Sequence, residues 1–240
     1  MYHVSCYNLY MQIVPAPLEK NASSLVAQIE RLSPYFQTFQ VDIADGIFVP
    51  NKTVQIDEIA SYLTDNRPSD SEGRQPITEK LTFDFHLMVK DYVKDIEKLK
   101  KLRNLLKIRN VFIHFSLSPN YPLLTTNYPQ FSFGLVLNPE DSVEQLAIDF
   151  ELSTIHCIQI MSVSPGFQGS PFIPETLKKV EQLRLKDYRN KIYLDGAINQ
   201  DTIPLILSLK NQPDYLCIGS FLTKAENLKE RVDYLKEKVV

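Results

Sequence analysis

A (β/α)8 TIM barrel is the fold the sequence predicts, and three observations point to it. Eight short apolar runs rich in β-branched and aromatic residues recur along the 240 residues, near 11–15, 36–43, 81–88, 110–115, 131–137, 155–162, 192–194 and 215–218. Stretches with helical apolar spacing separate most of them, as at 24–32, 92–103, 174–185 and 223–238. Three of the runs carry an aspartate or histidine near their ends: Gln40-Val41-Asp42-Ile43-Ala44-Asp45-Gly46, Asp84-Phe85-His86-Leu87-Met88-Val89 and Tyr193-Leu194-Asp195-Gly196-Ala197. A parallel barrel gathers such positions at one rim, where this architecture carries its chemistry. The competing doubly wound sheet gains no support, because no Gly-x-Gly-x-x-Gly follows the first run.

Taken in order, the second run holds Gln40 and Asp42 two residues apart, so both share one face of a strand. The third holds Asp84, His86 and Met88 in the same relation. On an inward face a carboxylate is costly unless a metal, a cation or hydrogen bonds compensate it. No Lys or Arg lies within these two runs, so ligation of a metal by Asp42, His86 and Asp195 is the simpler account. For His86 alone, a hydrogen-bonded core histidine is the alternative. Asp45 could equally stabilise its turn or cap the next helix. The polar stretch 66–75 lacks apolar periodicity and is expected to be a surface insertion. His114, in the fourth run, has no such companions and reads as structural or as a support to a ligand.

The last three runs lead into glycines, of which the chain has only 7. Gly166, Phe167, Gln168 and Gly169 follow the sixth run, Gly196 and Ala197 the seventh, Gly219 and Ser220 the eighth. Loops in these places build phosphate sites in barrels, because glycine lets backbone N–H groups approach an anion closely. Turn formation alone accounts for any one of them; three on neighbouring strands favour a phosphorylated substrate. In the C-terminal helix Leu228, Val232, Leu235 and Val239 form a stripe suited to packing on the barrel wall, and an exposed version could mediate assembly into a homo-oligomer.

Composition narrows the function further. A chain of this length with 44% hydrophobic residues can bury a large core, so residues 1–240 are expected to form a single domain. With 26 basic and 29 acidic residues and no dense Lys/Arg tract, nothing in it suits nucleic acid or an anionic membrane; a small-molecule partner fits better. The segment 1–15 has no basic start followed by an apolar block, which leads us to expect a cytoplasmic protein. Cys6, Cys157 and Cys217 are odd in number and widely spaced, against a disulfide framework or a cysteine zinc site.

These residues resemble the ribulose-phosphate 3-epimerase family. The likeness runs through Val41-Asp42 with Asp45-Gly46 and Phe48-Val49-Pro50-Asn51, Phe85-His86-Leu87-Met88-Val89, Ile160-Met161 with Pro165-Gly166-Phe167 and Phe172-Ile173-Pro174, Leu194-Asp195-Gly196-Ala197-Ile198-Asn199, and Gly219-Ser220. The resemblance implies a (β/α)8 isomerase of carbohydrate metabolism, in the pentose phosphate pathway, that inverts C3 of D-ribulose 5-phosphate to give D-xylulose 5-phosphate. It implies one divalent metal, usually zinc, with Asp42 and Asp195 as both ligands and the acid/base pair, and His86 as a further ligand facing the substrate. The loops Gly166 to Gly169, Gly196 with Ala197, and Gly219 with Ser220 would hold the phosphate. Met88 and Met161 would line the pocket.

The chain also departs from the family. Gln40 stands where the family has its first metal histidine, two residues before the catalytic aspartate, and an amide oxygen is a weaker, harder ligand than imidazole. Magnesium or manganese in place of zinc, a three-ligand site with water in the gap, and loss of the metal are all compatible with this. Aligning Pro15 to Leu18 with the family's start puts Glu19 at a serine position, where it could supply a compensating carboxylate. Three functions remain open: the pentulose-phosphate epimerase, an epimerase of a related ketose phosphate such as allulose 6-phosphate, and a non-catalytic barrel that binds a sugar phosphate or a partner protein.

Overall fold

The computed structural model describes residues 11–65, 80–167 and 169–239. Eight parallel strands make one sheet: β1 (Gln12–Pro15), β2 (Thr38–Ala44), β3 (Thr82–Met88), β4 (Lys107–His114), β5 (Ser132–Leu137), β6 (Cys157–Met161), β7 (Lys191–Asp195) and β8 (Tyr215–Ile218). Hydrogen-bonded neighbours follow the order β1-β8-β7-β6-β5-β4-β3-β2, and β1 also lies against β2, so the sheet curls into a nearly closed barrel. This is the expected (β/α)8 architecture, with every strand within a few residues of its predicted place. The expected insertion at 66–75 lies outside the described residues, as do Gln168 and Cys6.

Around the barrel run α1 (Ala22–Leu32), α2 (Ile56–Asp65), α3 (Tyr92–Leu102), α4 (Tyr121–Asn127), α5 (Val143–Asp149), α6 (Lys178–Leu185), α7 (Ile203–Leu207), α8 (Ser220–Thr223) and α9 (Leu228–Val239). Side chains start several of them. Asn21 Oδ1 accepts from the Ser24 N–H at 2.9 Å and Asp91 Oδ1 from the Lys94 N–H at 3.1 Å, satisfying donors that the first helical turn leaves without partners. The segment 223–238, expected as one helix, is helical only from Leu228 on; Thr223 is the last residue of the short α8, and 224–227 are not helical. Arg31 of α1 donates to the carbonyls of Leu222, Thr223 and Ala225; a continuous helix would use the last two internally, and the chain leaves the helix there before α9 begins. The expected helix over 174–185 likewise opens with a 3-10 turn, Pro174–Leu177. Among the described residues no helix is long and apolar enough to cross a membrane.

Strand alternation divides the core into two layers. Phe39, Val41, Ile43, Phe83, Phe85 and Leu87 point outward and pack with Leu25, Ile29, Ile96, Leu99, Val232 and Leu235 of the helices. Each such fully buried side chain stabilises the fold by about 1.5–3 kcal/mol. The other face of the strands fills the barrel, with Val14, Phe112, Val136, Cys157, Tyr193 and Cys217 as its apolar part. Gln40, Asp84, Asn110, His114 and Gln159 are buried there too, an unusually polar filling for a fold whose barrel is normally packed with branched apolar side chains.

Asp84 corrects one step of the sequence reading. Its own strand offers no cation, but β4 does: Arg109 donates to it through Nε at 2.9 Å and through Nη2, and Asn110 donates through its N–H at 3.1 Å and Nδ2 at 3.0 Å. The Arg109 guanidinium lies 4.9 Å over the Tyr215 ring and 5.7 Å over that of Tyr193. A cation on the neighbouring strand, not a metal, therefore compensates this carboxylate.

Candidate active site

The β2–β3 ladder pairs Asp42 with His86, and Asp195 ends β7 across the barrel. One ligand atom from each of the three lies within 4.8 Å of the other two, and all three residues are buried. His86 Nδ1 is 3.2 Å from Asp42 Oδ1 and 3.7 Å from Asp195 Oδ2. Two carboxylates brought together out of water are unfavourable unless a proton or a cation is shared between them. Burial first, and then the charge of Asp42 alongside, push Asp195 up to about 7. One imidazole nitrogen and two carboxylates converging on a common point are a donor set that a divalent cation fits.

Two amides reach into the same chamber. Gln40 Nε2 donates to Asp42 Oδ1 at 3.0 Å and to Asp195 Oδ2 at 2.7 Å, while its Oε1 accepts from Cys217 Sγ at 3.2 Å. Gln159 Nε2 donates to Asp195 Oδ2 at 2.9 Å and lies 3.4 Å from His86 Nδ1. Gln40 thus turns hydrogens, not a lone pair, towards the carboxylates. It bridges the pair and offsets part of their charge. The segment after β1 contributes Ala16 and Leu18 to the wall of the cleft above these residues, and Glu19 is not part of that wall.

His114, which seemed isolated in the sequence, meets His86 Nε2 through its own Nε2 at 2.9 Å, and its Nδ1 faces Asn138 Oδ1 at 2.8 Å. Burial and then the neighbouring His86 ring hold its basicity well below that of an ordinary histidine. Asp45 takes the structural role: Oδ1 accepts from the Ile47 and Phe48 N–H groups at 2.7 and 2.8 Å, and Oδ2 from the Lys90 N–H at 2.7 Å, tying the loop after β2 to the end of β3.

Above the acidic cluster opens a cleft. Met88 and Met161 line it, together with Gly166, Phe167, Gly169, Gly196, Ala197, Gly219 and Ser220, so the three glycine loops do converge on the rim that holds Asp42, His86 and Asp195. The loop after β2 braces the loop after β6, with Asn51 Nδ2 donating to the Gly166 carbonyl at 2.6 Å. At Gly196 the backbone has φ +123°, and a Cβ there would lie 2.6 Å from Val163 Cγ2; only glycine fits. Ala197, next in the chain, has φ +49°, a conformation that alanine adopts only when its surroundings hold it there.

The model of the ribulose-phosphate 3 epimerase family matches residues 12–222, nearly the whole of the barrel. The chain belongs to that family. The epimerase is therefore an enzyme of the isomerase class. It is 30% identical over 211 residues to a ribulose-phosphate 3-epimerase of Methanocaldococcus jannaschii, covering 83% of this chain and 78% of that protein. To the ribulose-phosphate 3-epimerase of a Synechocystis strain it is 31% identical over 227 residues, covering 92% and 90%. Among solved structures, orotidine 5′-monophosphate decarboxylase of Methanocaldococcus jannaschii superposes with a TM-score of 0.60 at 15% identity, covering 96% of this chain and 99% of that one, a likeness of fold.

Two residues of the epimerase's site escaped the sequence reading. Gln159 stands two before Met161 on β6, on the same inward face, and the period-two rule that picks out Asp42 would have found it. Asn138 follows β5 directly, before a proline, and looks like an ordinary turn residue.

Proposed function

We propose that the enzyme inverts C3 of D-ribulose 5-phosphate to give D-xylulose 5-phosphate, with Asp42 and Asp195 as the acid/base pair. The convergence of these two carboxylates with His86, beneath a cleft rimmed by three glycine loops, carries the reading. Inverting a carbon beside a ketone means taking a proton from one face and returning one to the other. Two groups from well-separated strands are suited to this; a single base is not. Asp195, raised to about 7, can hold or release a proton near neutrality. Met88 and Met161 give the planar intermediate a polarizable, water-excluding wall. The loops at Gly166, Gly196 and Gly219 would bind the phosphate through their backbone N–H groups.

Asp42, His86 and Asp195 would hold a divalent cation, for which zinc or manganese suits one nitrogen and two carboxylates. Such a cation would polarise the ketone and stabilise the negative charge that develops as the proton leaves. The test is direct: follow interconversion of the two pentulose phosphates by the purified protein with zinc, manganese or magnesium. Binding of the sugar phosphate without turnover in every case would leave a binding protein and defeat this reading.

Three further results are expected. Gln40→His replaces a bridging donor by an imidazole lone pair, so zinc should bind more tightly, as measured by titration against a competing chelator. Zinc binding should weaken as the pH falls through about 7, because a proton on Asp195 competes with the ion. Gly196→Ala forces a side chain into the positive-φ region and against Val163. It should cost about 1–3 kcal/mol in thermal unfolding and raise KM for the phosphorylated substrate.

A further inference from the structure

We propose that His114 and Asn138 are positioning residues that decide which nitrogen of His86 faces the carboxylates. The contacts form a chain with a direction. Asn138 Nδ2 donates to Ser116 Oγ at 3.2 Å, which leaves its Oδ1, an acceptor, 2.8 Å from His114 Nδ1. His114 Nδ1 therefore carries the hydrogen. The ring is fully buried, and its polar side-chain contacts are an amide oxygen and another imidazole, with no carboxylate among them to compensate a charge; it therefore keeps a single hydrogen, His114 Nε2 presents a lone pair, and it meets His86 Nε2 at 2.9 Å. Facing lone pairs at that distance would repel, and so His86 Nε2 must donate. His86 Nδ1 is left without a hydrogen 3.2 Å from Asp42 Oδ1 and 3.7 Å from Asp195 Oδ2, an arrangement that a cation bound among the three would relieve.

The far end of the chain is firmly held. The Asn138 N–H donates to Asp141 Oδ2 at 2.7 Å, and its carbonyl accepts from the buried ammonium of Lys179, which also bonds the Pro139 carbonyl at 3.0 Å. The His114 ring is packed between Phe48, 4.7 Å away by ring centroids, and His86, at 5.0 Å, which leaves it little room to turn over. Without this support His86 could carry its hydrogen on Nδ1, donate it to Asp42, and close the site to a metal. Buried partners that fix the orientation and proton of a ligating histidine commonly strengthen metal binding about 10–100-fold.

The role rests on the metal-assisted reading above; the proton arrangement does not. It is tested on the full chain labelled with nitrogen-15 histidine, using two-bond proton–nitrogen correlation spectra with and without zinc, and zinc affinity measured against a chelator. In the zinc-loaded wild type, His86 should show its hydrogen on Nε2 and none on Nδ1. His114→Leu and Asn138→Leu should weaken zinc binding about 10–100-fold, and His114→Gln and Asn138→Asp, which restore an acceptor, should recover most of it. A wild-type spectrum with the hydrogen on His86 Nδ1, or leucine variants that bind zinc as the wild type does, would overturn the inference. Should His114→Leu fail to fold, the wild-type spectrum and the Asn138 pair still decide. A protein with the expected arrangement that turns over no pentulose phosphate supports this inference and defeats the substrate reading alone.

Discussion

Asp42→Asn and Asp195→Asn are each expected to slow C3 inversion by about 10²–10⁴-fold, the usual worth of a positioned acid or base. Asparagine keeps the shape and removes the proton transfer. The fold should tolerate both changes, because each deletes one member of a buried pair of like charges that costs free energy to assemble. Thermal unfolding of the variants checks this, and zinc titration allows the assays to be run with the site saturated. A second measurement separates the two residues. If each carboxylate serves one face of the sugar carbon, each variant should still exchange the C3 hydrogen of one epimer for solvent deuterium, and the two variants should act on different epimers. Inversion at the wild-type rate by either variant would remove that residue from the chemistry.

Which parts of this site could be read in advance follows from the range of the interactions involved. Period-two alternation along a strand is local, so β2 and β3 were placed within a few residues and Asp42 and His86 fell on the inward face. That the glycine loops converge follows from barrel topology alone, whatever the details of their neighbours. The orientation of Gln40 does not, because it depends on Asp195, 155 residues away, and on the Cys217 thiol. Arg31 ends α8 through a contact 191 to 194 residues distant, which no periodicity in the C-terminal segment encodes. His114 looked companionless because its partners come from either side of its own strand, His86 from β3 and Asn138 from the turn directly after β5. Asp84 hid its cation in the same way. Arg109 reaches it from β4, across a ladder whose register shifts between Phe83 and Asp84, so counting along the chain alone would not pair them.

Arg109→Leu is expected to destabilise the protein by about 3–5 kcal/mol, the cost of stranding one partner of a buried ion pair, and to lower Tm by about 6–20 °C for a chain of this size. The two partners are not equivalent. The Asp84 side chain has no exposure to water, whereas that of Arg109 keeps 26% and rests on the Tyr193 and Tyr215 rings. Asp84→Leu leaves a cation that water and aromatic faces can still satisfy, so it should cost less than Arg109→Leu. The double variant should resemble Asp84→Leu more than the sum of the two, since the second change removes the charge that the first one stranded. The pH dependence has a definite sign. Burial pushes the Asp84 carboxyl above its ordinary value of 3.8, against the pull of Arg109 and Asn110, and loss of Arg109 should push it further. A carboxyl raised in the fold takes up its proton more readily there than in the unfolded chain. The penalty in Arg109→Leu should therefore vanish near and below the ordinary value, grow as the pH rises through the raised one, and be complete above it. Turnover per folded molecule should be unchanged, because Asp84 and Arg109 lie outside the cleft that holds Asp42, His86 and Asp195. An additive double variant, or a penalty that does not change with pH, would mean that Arg109 contributes only packing against the two tyrosines.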